Sequence, residues 1–125
     1  MATVLDLNTP IEADPDTEYF NDCCIGGDRI AARVGEAVKD FPGELDHGQE
    51  DWGWFVWVRE GKCTRMCNIT TYDEDGVTFG VRIEGEEKKG WFRTRALTDE
   101  ELDGWRAAIV GTLAGEIVRE DTEAP

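Results

Sequence analysis

The chain has 125 residues, 40% of them apolar, with 28 acidic against 13 basic side chains and a net charge of −15. That length fits one domain whose core stands without disulfides or metals, and the apolar and aromatic content excludes a disordered chain. The charge repels nucleic-acid phosphate and anionic membranes at long range, which sets both aside as partners. It serves solubility, and it also suits steering of a basic protein.

Met1 to Asp6 carry neither the basic segment nor the apolar run of a signal peptide, and no apolar run reaches the length of a bilayer span. The expected location is therefore cytoplasmic, where thiols stay reduced. Cys23 and Cys24 are neighbours, about 3.8 Å apart at Cα, too close for a usual disulfide. Cys63 and Cys67 fall in one expected strand, about 13 Å apart. The four read as small buried hydrophobes.

In chain order, residues 1–22 form an acidic arm in which Thr3–Leu7 suits an extra strand and Pro10 to Glu18 suits a loop, with Tyr19 and Phe20 placed to pin it. A first helix is expected from Gly27 or Asp28 to Phe41, because Ile30, Val34, Ala37, Val38 and Phe41 share one face. Asp28 suits its N-cap or first turn, and Pro42-Gly43 ends it. Residues 42–51 read as a polar connection. Strands follow at about 53–60, 62–71, 77–84 and 91–96, with Asp75-Gly76 as a hairpin turn.

Thr98-Asp99-Glu100-Glu101 forms a capping box that opens a last helix to about Val118, with Leu102, Trp105, Ile109, Leu113 and Ile117 as its stripe. Ala107, Gly111 and Gly115 recur every four residues, so the sheet or the first helix is expected to pack close there. Arg119 to Pro125 reads as a frayed tail. The fold expected is α+β, a two-layer sandwich of helix, four-stranded antiparallel meander and helix, in one domain over 1–125.

Enzyme signatures are missing. There is no phosphate loop or dinucleotide turn, and the chain has no serine for a triad. His47 is the one histidine, so a Cys–His pair is the only nucleophilic option. Neither the cysteine spacing nor the carboxylates of Asp73, Glu74 and Asp75 match a zinc or calcium site. No catalytic residue, metal or cofactor is expected.

Three of the five tryptophans stand within six residues, in Glu50-Asp51-Trp52-Gly53-Trp54-Phe55-Val56-Trp57-Val58. Strand alternation sets Trp52, Trp54, Val56 and Val58 on one face and Phe55 and Trp57 on the other. Both faces are apolar, so one enters the core and the other needs a second cover: the arm, the Trp91 region or a partner. As a staple, Glu50 or Asp51 would accept hydrogen bonds from loop amides, and Gly53 would let another backbone approach closely. As a site, Glu50, Asp51, Trp52, Trp54, Phe55, Trp57 and Trp91 would give an anionic lip beside aromatic anchors, suited to a Lys- or Arg-bearing partner.

With its flanking helices and hairpin strands, the Glu50–Trp54 run resembles a group of small uncharacterised bacterial proteins that carry Glu-Asp-Trp-Gly-Trp in the same setting. Their acidic, catalytically bare character is similar to the immunity proteins of bacterial toxin systems, by analogy. No activity comes with that resemblance; the acidic loops and aromatic sheet face point to a non-enzymatic module that occludes a basic protein, as an immunity-type inhibitor or a secretion chaperone does. Two alternatives stand beside it. One is a small-ligand or metal-assisted enzyme using His47, the cysteines and nearby carboxylates. The other is a structural homodimer joined through the Ala107-Gly111-Gly115 stripe, against a monomer.

Overall fold

A computed structural model describes residues 2–72 and 78–123. The elements are β1 (Ala2–Asn8), α1 (Gly27–Val38), β2 (Glu44–Glu50), β3 (Gly53–Glu60), β4 (Cys63–Thr71), β5 (Thr78–Lys88), β6 (Thr94–Ala96), α2 (Asp99–Leu113) and β7 (Ile117–Glu123), with short 3-10 turns at Asp22–Cys24 and Ala114–Glu116. The expected Asp75-Gly76 turn, with Asp73, Glu74 and Val77, lies outside the described residues.

The class is α+β, but the sheet has seven strands where a four-stranded meander was expected. Every pairing is antiparallel, in the order β2-β3-β4-β5-β1-β7. β6 pairs with the far end of β5, from Glu86 to Lys88, beyond the stretch that β1 occupies. The amino-terminal strand is thus interior to the sheet. Leu5 and Leu7 are fully buried, and the rest of the arm runs over the surface.

Two segments differ from the sequence reading. Residues 44–50, expected as a connection, pair with β3 from Glu44↔Arg59 to Glu50↔Gly53. Residues 117–123, expected as helix end and tail, pair with β1 from Leu7↔Ile117 to Ala2↔Glu123. Both are edge strands that spend most of their length in solvent. Neither carries an apolar alternation, because neither buries a full face.

Both helices cover one sheet face. Ile30, Val34 and Val38 of α1 and Leu102, Trp105, Ile109 and Leu113 of α2 join Leu5, Leu7, Val56, Val58, Cys67, Ile69, Phe79, Val81 and Ile83 in one core. The strand members all belong to one side of the pleat. Trp105, fully buried, packs edge-on against Phe41 at 5.5 Å and donates from its indole N–H to the Met66 carbonyl at 3.1 Å.

The α2 capping box forms as expected: Glu101 N–H donates to Thr98 Oγ1 at 3.2 Å and Thr98 N–H to Glu101 Oε2 at 3.3 Å. The N-cap of α1 is Gly26, with no side-chain cap, while Asp28 stands in the first turn. Nothing packs close to the small-residue stripe. A Cβ at Gly111 or Gly115 would meet no atom within 4 Å, and Ala107 is exposed.

Candidate functional site

Glu50 and Gly53 are the last pair of the β2–β3 hairpin, so Asp51 and Trp52 form its two-residue turn. At Gly53 φ is 148°, and a Cβ there would lie 1.8 Å from the Ile69 carbonyl oxygen. The close backbone approach expected at this glycine is present, and only glycine permits it.

The staple works through backbone atoms. The Asp51 carbonyl accepts from Asn21 Nδ2 at 2.6 Å, and the Glu50 carbonyl accepts from the Cys24 thiol at 3.1 Å. The two carboxylates, expected to bind loop amides, make no hydrogen bond or ion pair among the described residues. They are left to solvent. Cys24 is buried, and burial raises its thiol pKa; Cys67, also buried, is raised further by the same cause. Cys23 and Cys63 are half-buried, and all four thiols are free.

The hairpin splits the tryptophans. Trp54 points to the helix side, donates from its indole N–H to the Cys24 carbonyl at 2.8 Å and meets the Tyr19 ring edge-on at 6.5 Å. Tyr19 in turn donates to Asp28 at 2.7 Å, which pins the arm; Phe20 stays exposed and is held through its amide by Gln49. Trp54 therefore ties the arm and the Cys24 turn to the hairpin. Trp52, expected on its face, sits in the turn and borders the opposite side of the sheet, because the turn interrupts strand alternation.

That opposite side has no helix. Phe55 and Trp57 lie on it with ring centroids 4.9 Å apart, both half-buried, and Trp57 donates to Asn68 Oδ1 at 2.9 Å. Two glycines make room for rings: Gly48 lies under Phe55 and Gly80 under Tyr72. Trp52, Asn68, Thr70, Tyr72 and Arg82 line a hollow of about 390 Å³. Tyr72 was not singled out in the sequence. Its signal was Gly80, a strand glycine opposite Thr70, which asks for an aromatic cover. Burial raises the Tyr72 phenol pKa, with the Asp6 and Glu123 carboxylates adding to it.

Carboxylates rim this face. Glu44, Asp46 and Glu50 of β2 run beside the Phe55–Trp57 pair and have no cationic partner among the described residues. The cations further across this face are taken: Arg82 of the interior β5 by Glu84 and Glu123, and Arg119 of the edge strand β7 by Asp121. Arg59, beyond Trp57 at the end of β3, makes no ion pair among the described residues.

Trp91 is not part of this surface. It is 96% exposed in the β5–β6 turn, at the Lys88 end of the sheet, whereas Trp52 stands at the Thr78 end. Ten residues of strand, roughly 30 Å, separate the two ends.

His47 is exposed on β2 and borders a different hollow, of about 600 Å³, between α1 and the β2–β3 hairpin, with Ala32, Leu45 and Trp54. No cysteine lines it, so the structure does not bring His47 to a thiol. Among the described residues no three His, Cys, Asp or Glu side chains gather as metal ligands, and no helix is long and apolar enough to cross a membrane. No protein-family model, no curated protein sequence and no solved structure matches this chain.

Proposed function

We propose that the chain is an acidic protein-binding module that occludes a basic protein through the uncovered face of its sheet. One observation carries the reading: the face without helices bears Trp52, Phe55, Trp57 and Tyr72 beside a row of unpaired carboxylates, Glu44, Asp46 and Glu50. Aromatic side chains bury much area at low entropic cost, and carboxylates beside them select Lys and Arg. The negative field speeds encounter, and desolvated ring contacts slow release.

Four hollows open on this face, of about 390, 350, 200 and 190 Å³; Arg82 borders the first two, and Val4 and Glu123 border the first and third. Adjoining hollows admit an extended basic segment, as a chaperone binds, as well as the folded basic surface that an inhibitor of immunity type meets. Trp54 and Trp91 fall outside this binding surface.

The test is a pull-down at low salt eluted with rising salt, using wild type, Trp57→Ala and Asp46→Lys, each checked for fold by circular dichroism. A basic protein retained by wild type should bind Trp57→Ala at least about 30-fold more weakly, as hot-spot truncations do. Asp46→Lys should slow association and flatten its salt dependence. Equal retention by both folded variants would refute the assignment of this face.

A further inference from the structure

The net charge of −15 hides an uneven distribution. Among the described residues five cations make no ion pair: Arg59, Lys62, Arg65, Lys88 and Arg93. Arg65 lies on the helix side, with Nη1 buried. Arg59 lies across from Glu44, beside Trp57 on the open face. The other three, Lys62, Lys88 and Arg93, are exposed and stand at one end of the sheet, around the β3–β4 and β5–β6 turns, where the Lys88 amide donates to the Lys62 carbonyl at 3.0 Å. Between Lys88 and Arg93 project Trp91 and Phe92, 96% and 97% exposed, the two most exposed large apolar side chains. The tip is held at its base, because the Lys89 amide donates to the Arg93 carbonyl at 2.8 Å and Gly90 turns the chain at a φ of 150°.

We propose that the Lys88–Arg93 tip is a peripheral contact for bilayers rich in anionic lipid. Tryptophan and phenylalanine on a narrow hairpin end reach the headgroup boundary, where aromatic rings settle, and the cations beside them meet lipid phosphate. Pairing registers put Glu60 level with Glu87 and Lys62 level with Lys88, so Glu60 and Glu86 stand behind the basic collar. Beyond a Debye length of about 8 Å the acidic body is screened. Repulsion from anionic membranes, expected from net charge, therefore applies to the body and not to this end.

A protein partner fits the tip less well. Six residues are far fewer than the roughly 20–30 that each partner gives to a stable protein interface. A bilayer surface asks for no complementary shape. This reading is independent of the partner-binding face, which centres on other residues.

The test is co-sedimentation of the whole chain at about 0.15 M salt, where the body is screened, with vesicles of phosphatidylcholine alone or mixed with phosphatidylglycerol. Wild type should bind the mixed vesicles and not the neutral ones. Lys88→Glu/Arg93→Glu should bind at least about 30-fold more weakly, at about fivefold per cation removed. Trp91→Ala/Phe92→Ala should also lose binding while its circular dichroism and melting stay unchanged, since both rings are exposed. Three outcomes would overturn the proposal: no preference for anionic vesicles, undiminished binding by the tip variants, or light scattering without lipid showing that the tip joins two copies of the chain.

Discussion

At Gly53 one side chain's absence sets the geometry of the whole hairpin. Alanine there would place a methyl inside the Ile69 carbonyl and hold a strained φ. The strain alone is worth about 1–3 kcal/mol, and strand separation adds to it. Gly53→Ala should lose at least about 2 kcal/mol in urea unfolding; a loss under about 0.5 kcal/mol would show that the two strands part cheaply. This glycine was legible, since a glycine inside an aromatic strand signals close approach. The division of Trp52 from Trp54 was not, because alternation assumes that the strand has begun, and Trp52 still belongs to the turn. The staple bonds expected of the Glu50 and Asp51 carboxylates were misplaced for a related reason. A sequence displays carboxylates, whereas the bonds here go to carbonyls, which every residue owns.

Elements that bury a face were legible, and so was the exposed β6; the two solvent-facing edge strands were missed. α1, β3, β4 and the start of α2 follow from periodic apolar residues and a complete capping box. β2, Glu-Leu-Asp-His-Gly-Gln-Glu, and β7, Ile-Val-Arg-Glu-Asp-Thr-Glu, read as loop and tail because their pairing comes from neighbours and not from their own side chains. Their acidic content has a use as edges: like charges discourage another strand from adding on. The misplaced end of α2 led to a second misreading, since Gly115 lies in the 3-10 turn and only Gly111 is helical. With open space around it, Gly111→Ala should stabilise the protein by about 0.5–1 kcal/mol. A homodimer built on close approach at Gly111 would instead weaken, with a fall in mass by light scattering.

For the molecule as a whole, acid response separates a local network from the general charge. Glu87 accepts from Lys89 and Arg95, and Arg95 reaches on to Glu101 at the start of α2, joining β5, β6 and the helix. The Lys89 and Arg95 hydrogen bonds hold the Glu87 carboxyl down at about 2 from an ordinary 4.5. A depressed folded-state value adds stability above 4.5, and that stability is lost as pH falls towards 2. The melting temperature of Glu87→Gln should therefore lie below wild type at neutral pH, with the gap closing between pH 4.5 and 2. A constant gap would assign the effect to packing. Net charge was fully legible in the sequence; where the unpaired cations gather was not, since it depends on which turns the sheet brings to one end.

The position of β1 bears on how the chain can fold. Its nearest pairing partner, Thr78 for Asn8, lies 70 residues on, and its other neighbour begins only at Ile117. While the ribosome is still releasing the intervening residues, Leu5 and Leu7 have no sheet to join. Long-range closures of this kind slow folding, and they leave β1, made before both of its partners, among the last strands shielded. Until Thr78–Ile83 emerges, the apolar side chains of β1 are the stretch of this sheet most open to wrong contacts.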